Sequence, residues 1–298
     1  MRVLISGASG LVGSEVRRQL KELGHEPISL VRRVAQNASE VSYDPANGVI
    51  DPAVMESIDA VVNLAGATTG KLPWTRKYKA ELIQSRVETT RLLVNAILAA
   101  KNAPKVLISG SASGIYGDAG DEWLDETAPV GSGFLAELAS EWEAEALKAT
   151  PRTRVVLVRT TMVMSRKLGA LGRLLPLLRA GIGGPLGSGK QWWAFISLPD
   201  EAGAIIHLIN NSQASGAYNL TAPEPATCAD LVHALGKALH RPTLIAVPAF
   251  ALRLAFGEGA DELLLCSQKM SASRLLETGF VFKHPTLQAA AQWSVGKD

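Results

Sequence analysis

The chain has 298 residues, of which 47% are hydrophobic and 19% charged, and its 30 Lys and Arg against 28 Asp and Glu leave a net charge of +2. That balance excludes disorder for the bulk of the chain and gives no reason to expect a nucleic acid or an anionic membrane as partner. The two cysteines, Cys228 and Cys266, have no metal-ligand spacing, so neither a disulfide scaffold nor a metal site is expected, and the count suits a reducing compartment.

Val3-Leu4-Ile5 is a short apolar run that stops at Ser6-Gly7. It is too short for a signal-peptide core, and no later segment reaches the roughly 18 uninterrupted apolar residues of a membrane span, so a cytoplasmic protein is expected. Leu11, Val12, Val16, Leu20 and Leu23 follow at helical spacing, with Arg17, Arg18, Lys21 and Glu22 between them, and Gly24 ends that helix. Ile28 to Val31 reads as a second strand and Ala60 to Leu64 as a third. Residues 75–101 read as a long amphipathic helix, Val106-Leu107-Ile108 as a fourth strand, 134–148 as a helix and Val155 to Val158 as a fifth strand.

These strands are continuous apolar runs rather than alternating ones. Strands buried on both faces have that signature, as in a parallel sheet between helix layers. Right-handed crossovers then give an α/β, doubly wound parallel sheet of the Rossmann-like kind. Beyond it the pattern is less regular. A glycine- and leucine-rich stretch runs from 165 to 192, a helix is expected near 200–210, a short strand at Tyr218-Asn219-Leu220, and a helix over 227–240. Pro242 to Pro248 reads as extended, and 249–290 as helices with a last hairpin-like piece. The expected division is a Rossmann domain over 1–165, with 195–225 returning to it, and a mainly substrate-facing lobe over 166–298.

Gly7-Ala8-Ser9-Gly10-Leu11-Val12-Gly13 is a glycine loop between a strand and a helix. Gly7, Gly10 and Gly13 suit a tight turn, backbone approach to a pyrophosphate, and close helix-to-strand packing. The free N–H groups and partial positive charge of the helix start suit phosphate. The second strand ends in Arg32-Arg33, where an NAD site usually carries an acidic residue for the ribose 2′-OH. A guanidinium there can pair with a 2′-phosphate or stack on adenine, which favours NADP(H); the alternative is a solvated arginine pair. Leu64, Ala65 and Gly66 close the third strand with small residues that let a cofactor approach.

Taken with Ser85-Arg86-Val87, Tyr116-Gly117-Asp118, Trp142-Glu143 and Gly183-Gly184-Pro185-Leu186-Gly187-Ser188-Gly189, these residues make the chain resemble the atypical extended short-chain dehydrogenase/reductases, within the sugar-epimerase-like subfamily of epimerase family proteins. The resemblance spans nearly the whole chain. It implies NADP(H) beyond the strand ends, touched by Ser9 to Val12, Arg32, Leu64, Ala65, Glu81, Arg86 and Val163, with Arg86 alternatively a structural anchor. It implies a small or nucleotide-linked substrate. Most such enzymes carry Tyr-x-x-x-Lys on the helix after the fourth strand. The matching segment here is Phe134-Leu135-Ala136-Glu137-Leu138, which has neither a phenol nor an ammonium.

Ordinary epimerase or dehydrogenase chemistry therefore needs another proton donor. Tyr116 and Ser111 are the candidates, each with a packing or turn role as its alternative. Two functions stand: an NADP-dependent oxidoreductase or epimerase, or a nonenzymatic NADP(H)-binding sensor. The glycines before Gln191-Trp192-Trp193 suit the border of a substrate cleft or plain lobe packing. Phe250, Leu252, Leu254 and Phe256 form an apolar stripe suited to a core or to a homodimer surface.

Overall fold

In the computed structural model, which describes residues 1–166 and 171–296, the apolar runs lie side by side because helices cover both faces of the sheet they form. The strands are β1 (Arg2–Ser6), β2 (Glu26–Val31), β3 (Glu40–Ser42), β4 (Ala60–Asn63), β5 (Val106–Ala112), β6 (Trp123–Leu124), β7 (Arg154–Thr160), β8 (Met162–Met164), β9 (Phe195–Ser197), β10 (Gly216–Leu220) and β11 (Lys269–Met270). Seven of them form one sheet in the order β10-β7-β5-β4-β1-β2-β3, parallel throughout. The order reverses at β1, so the crevice of a doubly wound sheet opens above β1 and β4.

The principal helices are α1 (Leu11–Glu22), α2 (Arg76–Ala99), α3 (Phe134–Leu147), α4 (Leu171–Arg179), α5 (Leu198–Asn210), α6 (Cys228–Leu239) and α7 (Ala249–Phe256). Alternate residues of each strand go to opposite cores. Val3, Ile5, Val62, Ile108, Val156 and Val158 pack with Val16 and Leu20 of α1 and with Ile205 and Leu208 of α5. Leu4, Val61, Leu107, Val155 and Leu157 pack with Leu93 and Ile97 of α2 and Ala146 of α3. Val3, Leu4 and Ile5 have no exposed surface. At roughly 25 cal/mol per Å2 of apolar area, each such side chain contributes about 1.5–3 kcal/mol. That is why these strands admit no polar alternation.

The strand expected at 218–220 begins at Gly216 and forms one edge of the main sheet beside β7, in register from Gly216 opposite Val156 to Leu220 opposite Thr160. The other edge, β3, was not foreseen, since Glu-Val-Ser carries too little apolar signal. A third core lies in the C-terminal half. There Leu175 and Leu178 of α4 meet Trp193, Phe195, Leu231, Val232 and Leu287. The expected terminal hairpin is instead β11 pairing in parallel with the distant β6. Its two residues close no local turn. β8 and β9 make a second two-stranded parallel pair. The α7 stripe divides: Leu252 is buried, whereas Phe250 and Leu254 are 72% and 87% exposed.

Candidate functional site

Gly7 has φ +70°, a left-handed conformation that only glycine adopts without strain, and it presses so closely on Leu64 that a Cβ would stand 2.6 Å from the Leu64 carbonyl oxygen. A Cβ on Gly13 would stand 2.3 Å from the Gly7 carbonyl oxygen, so the first turn of α1 lies directly on the loop. Gly10 differs. Its Cβ would meet only the Gly7 carbonyl, at 3.2 Å, and the residue itself is exposed. Gly10 N–H donates to the Gly7 carbonyl at 2.9 Å and closes the turn. Among the described residues no side chain caps α1. The N–H groups of its first turn, carried by Leu11, Val12 and Gly13, therefore face the crevice mouth beside exposed Ser9.

Arg32 and Arg33 separate sharply. Arg33 holds Glu40 through two bonds of 2.7 and 2.8 Å and also donates to the Val34 carbonyl. It pins the edge strand β3. Arg32 is exposed and makes no hydrogen bond or ion pair among the described residues. A lone guanidinium thus stands at the tip of β2, one strand away from the open start of α1.

Beneath the crevice lies a polar chain. Ser6 donates to Asn63 at 2.6 Å, Asn63 to Thr90 at 2.7 Å, and Trp142 to Thr90 at 2.8 Å. The Ala65 N–H donates to the Ser6 hydroxyl, which sets the path of Leu64, Ala65 and Gly66 as they leave β4. Arg86 reaches the same corner from α2. It donates to the Leu82 and Ala67 carbonyls, and its guanidinium lies against Gly66 and over the Trp142 ring. Burial without a carboxylate partner pushes Arg86 down to about 10. Glu81, five residues earlier, is exposed and makes no bond with it or with any other described residue. Val163, on β8, is half-buried against the main core.

The start of α3 carries no proton donor where the resemblance would put one. The Phe134 ring packs edge-on against Trp74 at 5.5 Å and under Lys79 at 4.6 Å. Leu138 is buried beside Tyr78 and Leu82. Glu262, from the C-terminal half, accepts the N–H groups of Phe134 and Leu135 at 2.7 and 2.8 Å. It takes over the capping of α3, because Gly133 before it has no side chain to offer.

Tyr116 and Ser111 are drawn into one buried network. Tyr116 is 3% exposed; its hydroxyl accepts from Arg159 at 2.8 Å and lies 2.7 Å from the Asn219 side-chain oxygen and 3.0 Å from the Asp125 carbonyl. Burial pushes its phenol up to about 12. Ser111 is 4% exposed and donates to Glu143 at 2.6 Å, while Glu143 takes two further bonds from Arg159. Both hydroxyls are thus engaged inside the protein. Sequence reading passed over Glu143 and Arg159, although Trp142-Glu143 stood out as a motif; a lone Arg at the end of an apolar strand was the available signal.

Beyond this network a cleft of about 200 Å3 lies between the loop after β5, the start of α3 and residues 261–268, bordered by Gly117, Asp118, Leu135, Arg253, Glu262 and Gln268. Gln191, Trp192 and Trp193 do not line it. Gln191 donates to the Leu186 and Leu264 carbonyls, Trp193 donates to that of Leu264, and Trp192 donates to Asp121. Ser197 caps α5 and bonds His284 at 2.9 Å, so an imidazole from far along the chain stands beside that serine. No group of three or more His, Cys, Asp or Glu able to hold a metal occurs among the described residues.

Residues 3–221 match the NAD dependent epimerase/dehydratase family, and 247–294 match a domain of unknown function. Epimerase family protein ML0860 of Mycobacterium leprae is 39% identical over 293 residues, covering 98% of this chain and 95% of that protein. The human epimerase family protein SDR39U1 is 36% identical over 297 residues, covering 97% of this chain and 98% of that protein. The crystal structure of the human protein's isoform 2 with NADPH aligns over 99% of both chains with TM-score 0.91 and 33% identity. A nucleoside-diphosphate sugar epimerase from Corynebacterium glutamicum aligns over 99% of this chain and 58% of its own, with TM-score 0.79 and 31% identity.

Proposed function

The chain belongs to the NAD dependent epimerase/dehydratase family, and we propose that within it this chain is an NADP(H)-binding, extended short-chain dehydrogenase/reductase-like protein, a sugar-nucleotide epimerase or oxidoreductase that works without the tyrosine–lysine pair. The observation that carries the reading is the unpaired Arg32 guanidinium beside the uncapped start of α1. Together they offer one cationic group and a set of N–H donors on neighbouring strand ends, the two kinds of partner that a phosphorylated adenosine and its pyrophosphate require. NADPH in the human relative's crystal structure supports it.

The residues fit such a group. Gly7, Gly10 and Gly13 keep the loop low, Ser9 to Val12 would meet the pyrophosphate, and Arg32 the 2′-phosphate, with Arg33 holding β3 in place behind it. Leu64, Ala65, Gly66 and Val163 would wall the crevice. Arg86, a desolvated cation without a carboxylate, would favour a negative ligand at the same corner. The bound dinucleotide supplies hydride chemistry; the chain positions it and excludes water. The substrate-facing part is assigned to 166–298 and the cofactor domain to 1–165 with 195–225. The substrate is proposed to be a small or nucleotide-linked molecule. Exposed Phe250 and Leu254 support a homodimer, and the free thiols of Cys228 and Cys266 a cytoplasmic location.

Phe134 and Leu138 favour a second reading, a nonenzymatic NADP(H)-binding sensor or interaction protein, since neither can carry a proton. Calorimetric titration with NADPH and NADH tests the shared premise. Tighter NADPH binding is expected, and failure of both to bind would refute it. Consumption of NADPH over a panel of carbonyl and sugar-nucleotide substrates then separates the two readings: turnover selects the enzyme, and tight binding with no turnover selects the sensor.

A further inference from the structure

Glu201, on α5, has no exposed surface, and one of its oxygens is the only buried side-chain N or O atom without a hydrogen-bond partner among the described residues. Its other oxygen accepts from the Thr160 hydroxyl at 2.6 Å. Thr160 is the last residue of β7, in register with Ala112 on β5 and Leu220 on β10, and it is partly exposed at the carboxyl end of the sheet. A buried carboxyl with an unmet oxygen is costly, because the oxygen has lost its water and gained no donor in return.

The proposed cofactor site fixes which end of a dinucleotide lies near this group. Arg32 marks the adenosine end at β2, and the start of α1 marks the pyrophosphate above β1. Since β2 lies on one side of β1 and β4, β5 and β7 on the other, the remaining half of the molecule runs toward Thr160. We propose that Glu201 sets the preference of this site for the oxidised over the reduced dinucleotide, its carboxylate favouring the cationic nicotinamide ring and its neutral form favouring the uncharged one. The inference rests on the NADP(H) reading.

Among the described residues no other charged side chain bonds Glu201, and His284, in the segment packed on α5, is turned to Asp200 and Ser197. On α1, Glu15 is held by Arg18 and Gln19, and Arg17, Arg18, Lys21 and Glu22 are exposed. On β7, Arg154 is spent on the carbonyls of Leu208, Ile209 and Ala214, and Arg159 on Glu143 at the opposite face. β5, β8 and β9 carry no titratable side chain. On α5 itself, Asp200 accepts from the N–H groups of Lys283 and His284, and His207 bonds Thr278. Burial pushes Glu201 up to about 8, and the Thr160 bond pulls the other way, so the carboxyl changes charge in an accessible range.

Dissociation constants for NADP+ and NADPH, measured by calorimetry from pH 6.5 to 9.5, test this. The 2′-phosphate titrates alike in both forms, so its contribution cancels in their ratio. The ratio is expected to move in favour of NADP+ by about tenfold across that range, one unit of coupling between two charges. It should stay flat in Glu201→Gln, and in Thr160→Val its midpoint should move to higher pH. A flat ratio in the unaltered protein, or the same rise in Glu201→Gln, overturns the role of Glu201 and leaves the cofactor site standing. If neither dinucleotide binds at any pH, the cofactor reading fails and the inference with it.

Discussion

Arg159 meets Glu143 through two bonds of 2.9 and 3.0 Å, both side chains at least 90% buried, and the pair holds the hydroxyls of Tyr116 and Ser111 from either side. Breaking a buried pair leaves one charge uncompensated, so Glu143→Gln should cost about 3–5 kcal/mol of stability. Tyr116→Phe removes a hydroxyl with three partners and should cost about 1–3 kcal/mol. Urea unfolding of both variants checks these values, with NADPH affinity expected to hold within about twofold. Full stability in Tyr116→Phe together with lost turnover would instead make the phenol a reacting group.

Arg32→Ala should weaken NADPH by about tenfold or more and NADH hardly at all, since one charge-assisted pair is removed and only NADPH offers its partner. Arg33→Ala should loosen β3 and lower the melting temperature without that selectivity, because its guanidinium is spent on Glu40. Equal losses for the two cofactors in Arg32→Ala would reject the 2′-phosphate role.

The glycines of the loop should fail in different ways. Gly13→Ala forces a Cβ to within 2.3 Å of the Gly7 carbonyl oxygen, and part of the loop must move; a fall in stability is expected even without ligand. Gly10 is exposed, and a Cβ there meets the Gly7 carbonyl at 3.2 Å, so Gly10→Val should lower the apo melting temperature less than Gly13→Ala while abolishing dinucleotide binding. Unchanged affinity in Gly10→Val would place the cofactor elsewhere.

Glu201 also predicts a pH dependence of stability. In the unfolded chain it ionises near the ordinary glutamate value of 4.5, whereas in the fold burial holds it protonated to about 8. Between these values the folded state binds more protons, so stability falls as pH rises through that window and levels off above it. The loss amounts to a few kcal/mol. Chemical denaturation at pH 5, 7 and 9 should show the fall in the unaltered protein and a flatter profile in Glu201→Gln; parallel profiles would contradict it.

Much of the cofactor side was legible in residue order. A strand, a glycine loop and a helix are local, and continuous apolar runs announce strands covered on both faces, so β1, β2, β4, β5 and β7 could be placed without coordinates. β3, β6 and β11 could not, because two or three residues carry no periodicity and their partners stand far off. Phe134 and Leu138 were readable too, as an absence of phenol and ammonium.

Residue order alone determined the doubly wound sheet and the cationic tip of β2, since both depend on neighbours along the chain. Tertiary structure alone decided that Arg32 is free while Arg33 is bound, that Tyr116 and Ser111 are engaged by Arg159 and Glu143, that Glu262 caps a helix some 130 residues away, and that Glu201 keeps an unmet oxygen. Each of these turns on which charges and hydrogen-bond partners are left over once distant segments pack, and burial strengthens both effects in ways that spacing along a chain does not encode.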